Sequence, residues 1–469
     1  MKVAFVHNFW EELPSLCLLS EVLRERGHDV RLFLNRRGWL EDLSRWQPRV
    51  AAFSATTGSH HQLLSAAAAV KKIPRPPVIV MGGPHPTFCP EVIEHPALDA
   101  ICRGEGEISF PEFLSRLTPD ALPEDVPGFW VKKEGAVIQN EPGPLVADLD
   151  TLPIPTRFIY GNYPFIRDAA LKRVMASRGC PYSCTYCYNH AYRKMMRGKG
   201  PYLRRRSVGH VMEELLHMKR NVPFTHIDFL DDVFTLDKEW VLSFCEEYAK
   251  KLGASFSCLN LVTHMDDDIC RALSRAGCTR VYIGVESGSQ RVRRDLMGRS
   301  VSDQDIFRCA ALVKKHGMTI QTFNMLGLPG ETMEEAMQTV EINRKLRPDY
   351  AWSSIATPYP GTRLAEMCKK AGALPKGSDP AIEIRSSYYS RSVLSTPEAK
   401  KLENLQKFFW PMVRFPRLTP LFHALSRLPP NALFRVFGSL HAGVNFKKRA
   451  AGVSWLTLLR LYMKNKNSY

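Results

Sequence analysis

Apolar, strand-like segments alternate with amphipathic helical segments along most of the 469 residues, and this alternation limits the fold more than any other feature of the sequence. Short apolar segments that end in small or polar residues, such as KVAFVHNF and PPVIVMGG, are typical of buried parallel strands. Helical patterns lie between them, for example SLCLLSEVLRERGH, which ends after Gly27. The alternation predicts an α/β protein with parallel sheets.

The first 140 residues contain five such strand segments, which predicts a doubly wound, Rossmann-like sheet. Ligands of doubly wound sheets bind in the loops at the carboxyl ends of the strands. In this chain those loops are residues 54–58, 82–88 and 103–107. Residues 141–170, which follow, are rich in proline, and this predicts an extended linker.

A second alternating region covers residues 171–370 and contains six strand–helix units. Six units are fewer than the eight of a full barrel. We therefore expect a partial (β/α)6 barrel with a wide mouth at the carboxyl ends of its strands. The alternation stops near residue 371, and residues 371–469 are predicted to form a small helical region with basic and aromatic faces.

Three of the twelve cysteines, Cys180, Cys184 and Cys187, have C-x-x-x-C-x-x-C spacing just after the first strand of the second region. In a reducing compartment, closely spaced cysteines are more often metal ligands than disulfides. A four-iron cluster normally has four thiolate ligands, so three thiolates would leave one iron open to another ligand. Zinc is the main alternative, because His190 completes a possible Cys3His set, and three ordinary thiols without a metal are the other.

The segment SRGCPYSCTYC resembles the signature of the radical S-adenosylmethionine (radical SAM) family. FLDDVFT, GVESGSQRVRRDLMGRS, FNMLGLPGET and ATPYPGTRL are similar to other segments of that family. The resemblance implies that the three cysteines hold a 4Fe–4S cluster whose open iron chelates S-adenosylmethionine, with Tyr186 as the aromatic residue before the last cysteine. Reductive cleavage then gives a 5′-deoxyadenosyl radical that abstracts hydrogen from carbon. It also implies an electron donor such as flavodoxin or ferredoxin.

By the same resemblance, Glu286 and Ser287, at the end of a barrel strand, contact S-adenosylmethionine. The alternative for Glu286 is a structural salt bridge. Arg299 either pairs with the methionine carboxylate or is a solvated helix charge.

Further residues are expected at the barrel mouth. Asp231 and Asp232 end another strand, and Tyr359 lies in TPYPGT without an assigned role. Three residues are expected to shape the turn beneath the ligand: Gly327, Pro329 and Gly330.

The N-terminal region resembles the cobalamin-binding domain that precedes some radical SAM domains, through MGGPHPTFCPEVI and LDAICRGEGEISFPEFL, and DLDTLPIPTR resembles their usual linker. The resemblance implies that the three loops hold cobalamin over the barrel mouth. Many such domains carry D-x-H-x-x-G, whose histidine ligates cobalt. Neither His7 nor His85 has that spacing, so the lower axial ligand stays open. The candidate contacts are Ser54, Thr56, Thr57, Gly82, Gly83, His85, Thr87, Gly104, Glu105, Gly106 and Glu107.

Each of these candidates has a structural alternative. Gly82 and Gly83 either let the backbone approach a flat ligand or form a bare turn. His85 is either a cobalamin contact or a surface-loop histidine. Glu105 and Glu107 either bond to cofactor amides or cap the next helix.

Positive charge is concentrated at the C-terminus. Residues 400–469 contain 13 Lys or Arg and one acid, Glu403, in a chain with a net charge of +17. KFFWPMVRFPRL and WLTLLRLYMK combine cations with aromatic residues and leucine, as interfacial helices do. This region is either merely solvated or contacts an anionic membrane surface or a lipid-like substrate. Nucleic acid is not expected, because we see no added RNA-binding module.

The segment MKVAFVHNFW indicates a core strand rather than a signal peptide, and no stretch of about 18 apolar residues appears. We therefore expect a cytoplasmic protein, with peripheral contact to the inner face of the membrane as an option for the C-terminal region. The other nine cysteines, including Cys89, Cys102 and Cys258, are expected to be buried free thiols.

Taken together, the resemblances predict a cobalamin-dependent radical SAM methyltransferase. In that family's mechanism the substrate radical takes a methyl group from methylcobalamin, and a second S-adenosylmethionine remethylates the cobalt. The basic, aromatic C-terminal region favours a large apolar substrate, such as a polycyclic lipid, a tetrapyrrole or another natural product. The alternatives are a ring-forming oxidative cyclase or other non-methylating rearrangement enzyme, and a non-catalytic cobalamin or iron–sulfur sensor.

Overall fold

The computed structural model describes residues 1–9, 11–375, 384 and 391–449. The strands are β1 Lys2–His7, β2 Asp29–Leu34, β3 Val50–Ser54, β4 Val78–Gly82, β5 Ala100–Cys102, β6 Phe129–Lys133, β7 Ala136–Gln139, β8 Leu171–Val174, β9 Ser177–Arg178, β10 Arg204–Arg205, β11 His226–Phe229, β12 Ser255–Asn260, β13 Cys278–Glu286, β14 Thr319–Leu326 and β15 Tyr350–Ile355. The helices are α1 Pro14–Glu25, α2 Trp39–Trp46, α3 His60–Val70, α4 Pro84–Phe88, α5 Gly106–Arg116, α6 Pro164–Arg167, α7 Tyr188–Met195, α8 Val208–Asn221, α9 Lys238–Lys251, α10 Asp267–Arg275, α11 Asp303–Lys315, α12 Met333–Leu346, α13 Arg363–Lys370, α14 Ala399–Arg414, α15 Thr419–Ser426 and α16 Ala432–Arg449. Short 3₁₀ turns lie at Pro90–Glu94, Leu149–Thr151, Phe158–Tyr160, Phe234–Leu236, Val262–His264 and Pro416–Leu418, and a π-helical turn at Val292–Leu296.

The N-terminal sheet has the strand order β2-β1-β3-β4-β5-β6-β7. Strands β1 to β5 pair in parallel, with Val3 opposite both Val30 and Val50. Apolar side chains pack on both faces of this sheet, which explains why its strands are nearly continuous apolar segments. The chain reverses direction across the sheet between β1 and β3, and a crevice forms at the carboxyl ends of strands at such a point.

The sheet also contains a hairpin that the sequence analysis does not predict. Strands β6 and β7 are antiparallel, and β6 is antiparallel to β5. The two residues that join them, Glu134 and Gly135, both have positive φ, at 50° and 83°. Two such residues form the tight turn that suits a twisted hairpin. The sequence lacks the usual Asn-Gly or Asp-Gly signal there.

The C-terminal sheet has the order β15-β14-β13-β12-β11-β8, and all of its pairs are parallel. Its six strands follow the chain order from one edge to the other, so the prediction of six strand–helix units is confirmed. The sheet forms a half-barrel. A small antiparallel pair, β9 with β10, stands beside the mouth next to the cysteine loop.

Residues 141–170 are not simply extended, because three short helical turns interrupt them. Aromatic side chains anchor these turns on the N-terminal sheet. The hydroxyl of Tyr163 donates to the carbonyl of Leu32 at 2.9 Å, and the hydroxyl of Tyr160 accepts the backbone N–H of Leu13 at 2.9 Å. This connection therefore packs as part of the core rather than as a loose spacer.

The C-terminal region begins with α14, which packs on α12 and on the outer face of β15. Phe408 and Phe409 are buried there, so KFFWPMVRFPRL is core along its first half, contrary to the interfacial expectation. WLTLLRLYMK lies outside the described residues. Among the helices that the structure describes, none has a stretch long and apolar enough to span a bilayer.

Candidate active site between the two sheets

The cysteine loop follows β8 at the carboxyl end of the barrel, and several contacts fix its backbone. Arg193 donates to the carbonyl of Pro181 at 2.6 Å and to the hydroxyl of Ser183 at 2.7 Å. Gly179, with φ of 90°, has no room for a side chain, since a Cβ would lie 2.5 Å from the carbonyl oxygen of Tyr202. The loop therefore presents its thiols from a rigid backbone.

Cys180, Cys184 and Cys187 are all half-buried. They lie close enough together for the charge on one thiolate to affect the pKa of another. Burial raises the pKa of Cys180 to about 11, and Asp232 and the other two thiols add to this effect. A bound cation would reverse it, because metal binding favours thiolates. In the described part of the chain, no three Cys, His, Asp or Glu side chains converge on one ion position. In a four-iron cluster, each of the three thiolates would bind a different iron.

A second group of predicted residues meets beside this loop. Arg299 donates to the hydroxyl of Tyr186 at 3.2 Å and to the carbonyl of Gly284 at 3.0 Å, and it lies 3.8 Å from the carboxylate of Glu286. Burial raises the pKa of Glu286, and Arg299 opposes this rise. The Nε of Arg299 is buried and has no hydrogen-bond partner among the described residues. The cluster therefore retains unused hydrogen-bonding capacity next to the thiols.

Ser287 does not join this cluster. It is fully buried, and its hydroxyl lies 3.4 Å from that of Thr339 on α12, behind the strand. A register shift between Gly284 and Glu286, together with the positive φ of 65° at Glu286, turns the chain at this point. Glu286 and Ser287 consequently face opposite sides of the barrel wall, so the structure does not support the expected contact of Ser287.

A cavity of about 560 Å³ lies between the two sheets, and we call it the inter-sheet cavity. From the barrel, Tyr188, Asn189 and Asp232 reach it. Burial raises the pKa of Asp232, and a hydrogen bond from Asn189 opposes the rise. The predicted residues of the N-terminal loops that line the cavity are Ser54, Gly82, Gly83, Thr87, Gly104, Glu105, Gly106 and Glu107.

Two of these residues join the loops to each other. The hydroxyl of Thr87 donates to the carbonyl of Gly83 at 2.8 Å and accepts the backbone N–H of Gly104 at 3.0 Å. Gly83 has φ of 95°, and a Cβ there would lie 2.9 Å from the carbonyl oxygen of Ala55. The loops thus form a close-set, side-chain-poor surface, which a flat macrocycle such as cobalamin can approach.

Thr56, Thr57 and His85 do not line the cavity, although the Thr57 hydroxyl lies 3.4 Å from the hydroxyl of Tyr188, which does. Thr56 bonds to Ser59 within its own turn at 2.9 Å. Thr57 bonds to Nδ1 of His85 at 3.1 Å, and the His85 ring stacks on His60 with centroids 3.7 Å apart. Burial lowers the pKa of His85 to about 4, so the ring is neutral. His85 is therefore a buried histidine, not a surface-loop residue.

Glu105 and Glu107 are occupied by arginines of the other half of the chain. Glu105 accepts from Arg204 at 2.8 Å and lies 3.1 Å from Arg178, while Glu107 accepts from Arg178 at 2.6 Å. Burial would raise the pKa of Glu105, but Arg204 and Arg178 hold it below its ordinary value. Glu105 makes no side-chain cap at the start of α5. Glu105 and Glu107 thus join the N-terminal sheet to the strands beside the cysteine loop. This role is neither the cofactor contact nor the helix cap that the sequence suggests.

A second buried network joins the two halves nearby. Arg157 lies 2.9 Å from Glu12 and 2.5 Å from Glu214, and Arg206 lies 2.5 Å from Glu214. The side chains of Arg157, Glu12 and Glu214 are all at most 4% exposed. The contacts of Arg157 have no local sequence signal, because Glu12 and Glu214 lie 145 and 57 residues away from it in the chain.

The remaining mouth residues have mixed roles. Asp231 is fully buried and accepts the N–H of Ala176 at 3.1 Å, so it supports the loop from behind. Tyr359 packs against Tyr188 with ring centroids 5.4 Å apart. Gly327 and Gly330 have positive φ, at 85° and 82°, in the turn that also contains Pro329.

The barrel interior holds a polar network that the sequence analysis does not identify. The hydroxyl of Ser257 donates to Asp228 at 2.6 Å, and it lies 2.9 Å from His226 and 3.2 Å from Tyr282. The alternation of side chains along β11, β12 and β13 is the signal that would have revealed it. The prediction of buried free thiols is confirmed for all nine other cysteines.

Comparison with known proteins agrees with this geometry. The Radical SAM superfamily model matches residues 174–342, and the B12 binding domain model matches residues 7–114. An uncharacterized methyltransferase of Pyrococcus horikoshii is 33% identical over 365 residues, which are 75% of this chain and 77% of that protein. Cytidylyl-2-hydroxyethylphosphonate methyltransferase of Streptomyces wedmorensis is 23% identical over 392 residues, which are 74% of this chain and 70% of that protein.

Among solved structures, the radical S-adenosylmethionine methyltransferase TsrM of Kitasatospora setae, with tryptophan substrate and an S-adenosylmethionine analogue bound, has the same fold. Its match covers 95% of this chain and 99% of that chain, with a TM-score of 0.70 at 14% identity. Fold and site together define a cobalamin-binding radical SAM enzyme. The chain belongs to the cobalamin-dependent radical SAM methyltransferase family, and its cofactors are a 4Fe–4S cluster, S-adenosylmethionine and cobalamin. This assignment supports a 4Fe–4S cluster over zinc and an enzyme over a sensor.

Proposed function

We propose that this enzyme methylates an unactivated carbon of a small molecule that binds in the inter-sheet cavity. One observation carries the proposal: the glycine-rich N-terminal loops and the barrel residues beside the thiols line the same space. When bound, the cofactors supply a hydrogen-abstracting radical and a transferable methyl group. A substrate in the cavity is within reach of both groups of loops, so one binding position serves both steps.

The proposed division of the chain follows from this assignment. Residues 1–140 form the cobalamin-binding domain, and residues 141–170 connect it to the radical SAM domain at residues 171–370. Residues 371–469 form a C-terminal domain. The described part of that domain reaches the site at Leu394, which packs in the same apolar cluster as Tyr186.

We assign the cluster to Cys180, Cys184 and Cys187, and S-adenosylmethionine to the neighbouring charges. In this assignment the carboxylate of Glu286 accepts from the ammonium group of S-adenosylmethionine, and Arg299 donates to its carboxylate. The buried position of Glu286 and the unpaired Nε of Arg299 support this division, because both groups gain a partner when the ligand binds.

Cobalamin is assigned to the loop surface built from Ser54, Gly82, Gly83, Thr87 and Gly104. Their small side chains and exposed backbone permit a close approach. Among the described residues, the N-terminal loops contribute no histidine to the lining of the cavity. Asp232 and Asn189 face the loops across the cavity. We propose that they position a polar group of the substrate.

The family assignment does not decide the substrate, because the named substrates of its members differ. We propose a large apolar substrate, such as a polycyclic lipid or tetrapyrrole, collected at a membrane surface. The support is a series of exposed apolar residues in the last described helices and their connections, which lie among Arg417, Arg427 and Arg435 in the sequence. Its members are Phe415, Leu418, Leu421, Leu428, Leu433, Val436, Phe437 and Leu440.

Such a mixture of apolar residues and cations suits the interface of an anionic membrane. Flotation with vesicles tests it: the protein should rise with anionic vesicles and remain behind with neutral ones. Leu433→Glu with Leu440→Glu should abolish flotation, whereas Phe165→Glu, at an exposed apolar residue elsewhere, should not. Equal behaviour of the three proteins would remove the membrane proposal.

The methylation proposal is tested in one anaerobic assay. The reconstituted protein receives S-adenosylmethionine, a strong reductant and a cell extract, and two products are quantified by mass spectrometry. We expect both 5′-deoxyadenosine and S-adenosylhomocysteine. Both should disappear in Cys184→Ala, and S-adenosylhomocysteine should disappear without cobalamin, whereas both should persist in Cys309→Ala, a buried cysteine of α11.

Other outcomes separate the alternatives. 5′-Deoxyadenosine without S-adenosylhomocysteine would favour an oxidative cyclase or another rearrangement enzyme over a methyltransferase. Failure of both products despite a loaded cluster would contradict the proposed chemistry. The required electrons are proposed to come from a one-electron carrier such as flavodoxin or ferredoxin.

A further inference from the structure

A second concave surface lies on the outer side of α7, and we call it the basic cleft. It has a volume of about 980 Å³ and is bounded by the cysteine loop at Ser183, by α7 and the residues after it, and by residues 361–366. Five cations line it, against one acid, Glu366. The five are Arg103, Arg193, Lys194, Arg197 and Arg363.

These five cations differ from the other arginines of the site. In the part of the chain that the structure describes, none of them is within ion-pair distance of a carboxylate, whereas Arg178 and Arg204 each bind a glutamate. A concave surface with this much uncompensated charge attracts anions and raises their association rate.

Arg103 shows the imbalance most clearly. Its guanidinium lies over the ring of Trp130 at 4.8 Å, and its Nε is buried without a partner. Burial lowers the pKa of Arg103, while Glu91 and Glu141 oppose this at longer range. An anion that entered the cleft would satisfy a charge that the fold leaves uncompensated.

The cleft lies directly against the cysteine loop. Arg193 lines it and also bonds to Pro181 and Ser183 of that loop. Helix α7 starts immediately after Cys187. Its residues Tyr188, Asn189 and Tyr192 line the inter-sheet cavity and Arg193 and Lys194 line the cleft, while Thr87 and Phe88 border both spaces. An electron that arrives through the cleft therefore reaches the cluster loop without crossing the substrate cavity.

We propose that the basic cleft is the docking surface for an acidic one-electron carrier protein of the flavodoxin or ferredoxin kind. The exposed Lys194, Arg197 and Arg363 steer the acidic surface, and complementary charge of this kind mainly sets the association rate. The reduced carrier is oxidised by one electron and the cluster is reduced by one electron, with no bond or proton transferred. This inference rests on the proposed radical chemistry.

The test compares two reductants on a charge-reversed protein. Lys194→Glu with Arg197→Glu changes two exposed cations that make no ion pair in the described structure. The control is Lys369→Glu with Lys370→Glu, two exposed cations in the last turn of α13 that lie outside the cleft. Uncoupled 5′-deoxyadenosine formation from S-adenosylmethionine is measured with enzymatically reduced flavodoxin and with dithionite.

We expect the flavodoxin-driven rate of the cleft variant to fall at least tenfold, while its dithionite-driven rate and both rates of the control stay near those of the wild type. Added salt should slow the flavodoxin-driven reaction of the wild type much more than that of the cleft variant. Equal losses with both reductants would overturn the proposal and assign the cleft to a small anionic reactant. Unchanged flavodoxin-driven rates would also overturn it.

Binding provides a readout that does not need turnover. Fluorescence anisotropy of labelled flavodoxin should show at least tenfold weaker association with the cleft variant than with the control. If the wild type forms no 5′-deoxyadenosine with either reductant, the proposed chemistry fails, and this binding difference alone decides the docking surface. Equal binding of both variants would contradict it.

Discussion

Arginines lie on both sides of the cysteine loop, and the two groups differ in what they meet. On the inner side, Arg157, Arg178, Arg204 and Arg206 all bind glutamates. The first three pair with glutamates that are far away in the chain, whereas Arg206 pairs with Glu214, eight residues on. On the outer side, the cations of the basic cleft meet no carboxylate within ion-pair distance among the described residues. The inner charges are neutralised within the fold, whereas the outer charges remain available to a partner.

The comparison shows that residue type alone does not indicate what an arginine does here. A buried arginine between two glutamates fixes the position of the elements that carry them, because separating the charges would leave each without solvent or partner. An unpaired arginine in an open cleft contributes little to the fold but much to the local potential. Substitutions on the two sides should therefore affect different measurements.

The largest effect on stability is expected for Arg157→Met. This change leaves Glu12 and Glu214 buried without the arginine that contacts both, and breaking a buried pair in this way costs about 3–5 kcal/mol. Thermal unfolding measures the loss. The matched control is Arg167→Met, whose solvent-screened pair with the exposed Asp168 should contribute little to stability. Similar losses in the two variants would contradict the assigned role of the inner network.

Arg178→Met should have the next largest effect, roughly 2–3 kcal/mol, because a charged hydrogen bond is lost while Glu105 keeps Arg204. Since Arg178 precedes Cys180 by two residues, the variant should also retain less cobalamin and less iron after reconstitution. Absorption spectra and metal analysis check this. Arg178→Lys should be intermediate, as lysine cannot reach both glutamates with a planar fork. Full cofactor retention in the methionine variant would show that this contact does not position the loop.

Glu331 accepts the backbone N–H groups of Gly327 and Leu328, whereas Glu335, four residues on, accepts from the side chain of Arg291. The two glutamates should therefore give opposite pH dependence. Burial raises the pKa of Glu331 to about 8, whereas the hydrogen bond from Arg291 helps to lower that of Glu335 to about 2. Below its unfolded pKa of 4.5, Glu331 is protonated in both states. As the pH rises toward 8 the unfolded chain loses that proton first, so the folded state becomes less stable by about 1.4 kcal/mol per pH unit.

Glu331→Gln should remove this decline between pH 6 and pH 7. Glu335→Gln should leave the decline at neutral pH in place. It should instead remove the loss of stability at acidic pH, because between pH 4.5 and about 2 the Glu335 carboxylate is protonated in the unfolded chain but not in the folded one. Thermal midpoints measured across the pH range distinguish the two. Identical dependence of the thermal midpoint on pH in the two variants would contradict the opposite pKa shifts of Glu331 and Glu335.

The smallest effect on stability is expected for Arg197→Ala in the basic cleft, within about 0.5 kcal/mol, because its exposed side chain makes no ion pair in the described structure. The same change should lower the flavodoxin-driven rate several-fold, and Arg197→Lys should restore most of it. A variant that loses stability instead of carrier-driven rate would place Arg197 with the inner arginines.

The sequence predicts the framework and the thiol loop well, because both depend on local patterns. The six barrel strands follow from alternation, and the three cysteines lie within eight residues of one another. The same holds for Gly82 and Gly83, which end a strand at the expected sheet edge. These features need no knowledge of which distant residue each one meets.

Where the structure differs from the sequence-based predictions, the cause is a contact with a residue that is distant in the chain. Glu105 and Glu107 look like cofactor contacts until Arg204 and Arg178 arrive from 99 and 71 residues away. Ser287 looks equivalent to Glu286, but the register shift at the end of β13 turns it to the helix side. Burial also converts His85 from a loop residue into a packed, neutral ring. The position of each of these residues depends on tertiary contacts, which cannot be predicted from the spacing of residues in the sequence.

The most direct test of the account is whether the thiol loop leaves one iron open to S-adenosylmethionine. The measurement is the electron paramagnetic resonance spectrum of the reduced, reconstituted protein before and after S-adenosylmethionine is added. We predict that the cluster signal changes on addition, and that Arg299→Met, which removes the assigned carboxylate partner, requires a much higher S-adenosylmethionine concentration for the same change. A signal that S-adenosylmethionine does not alter at any concentration would contradict the account.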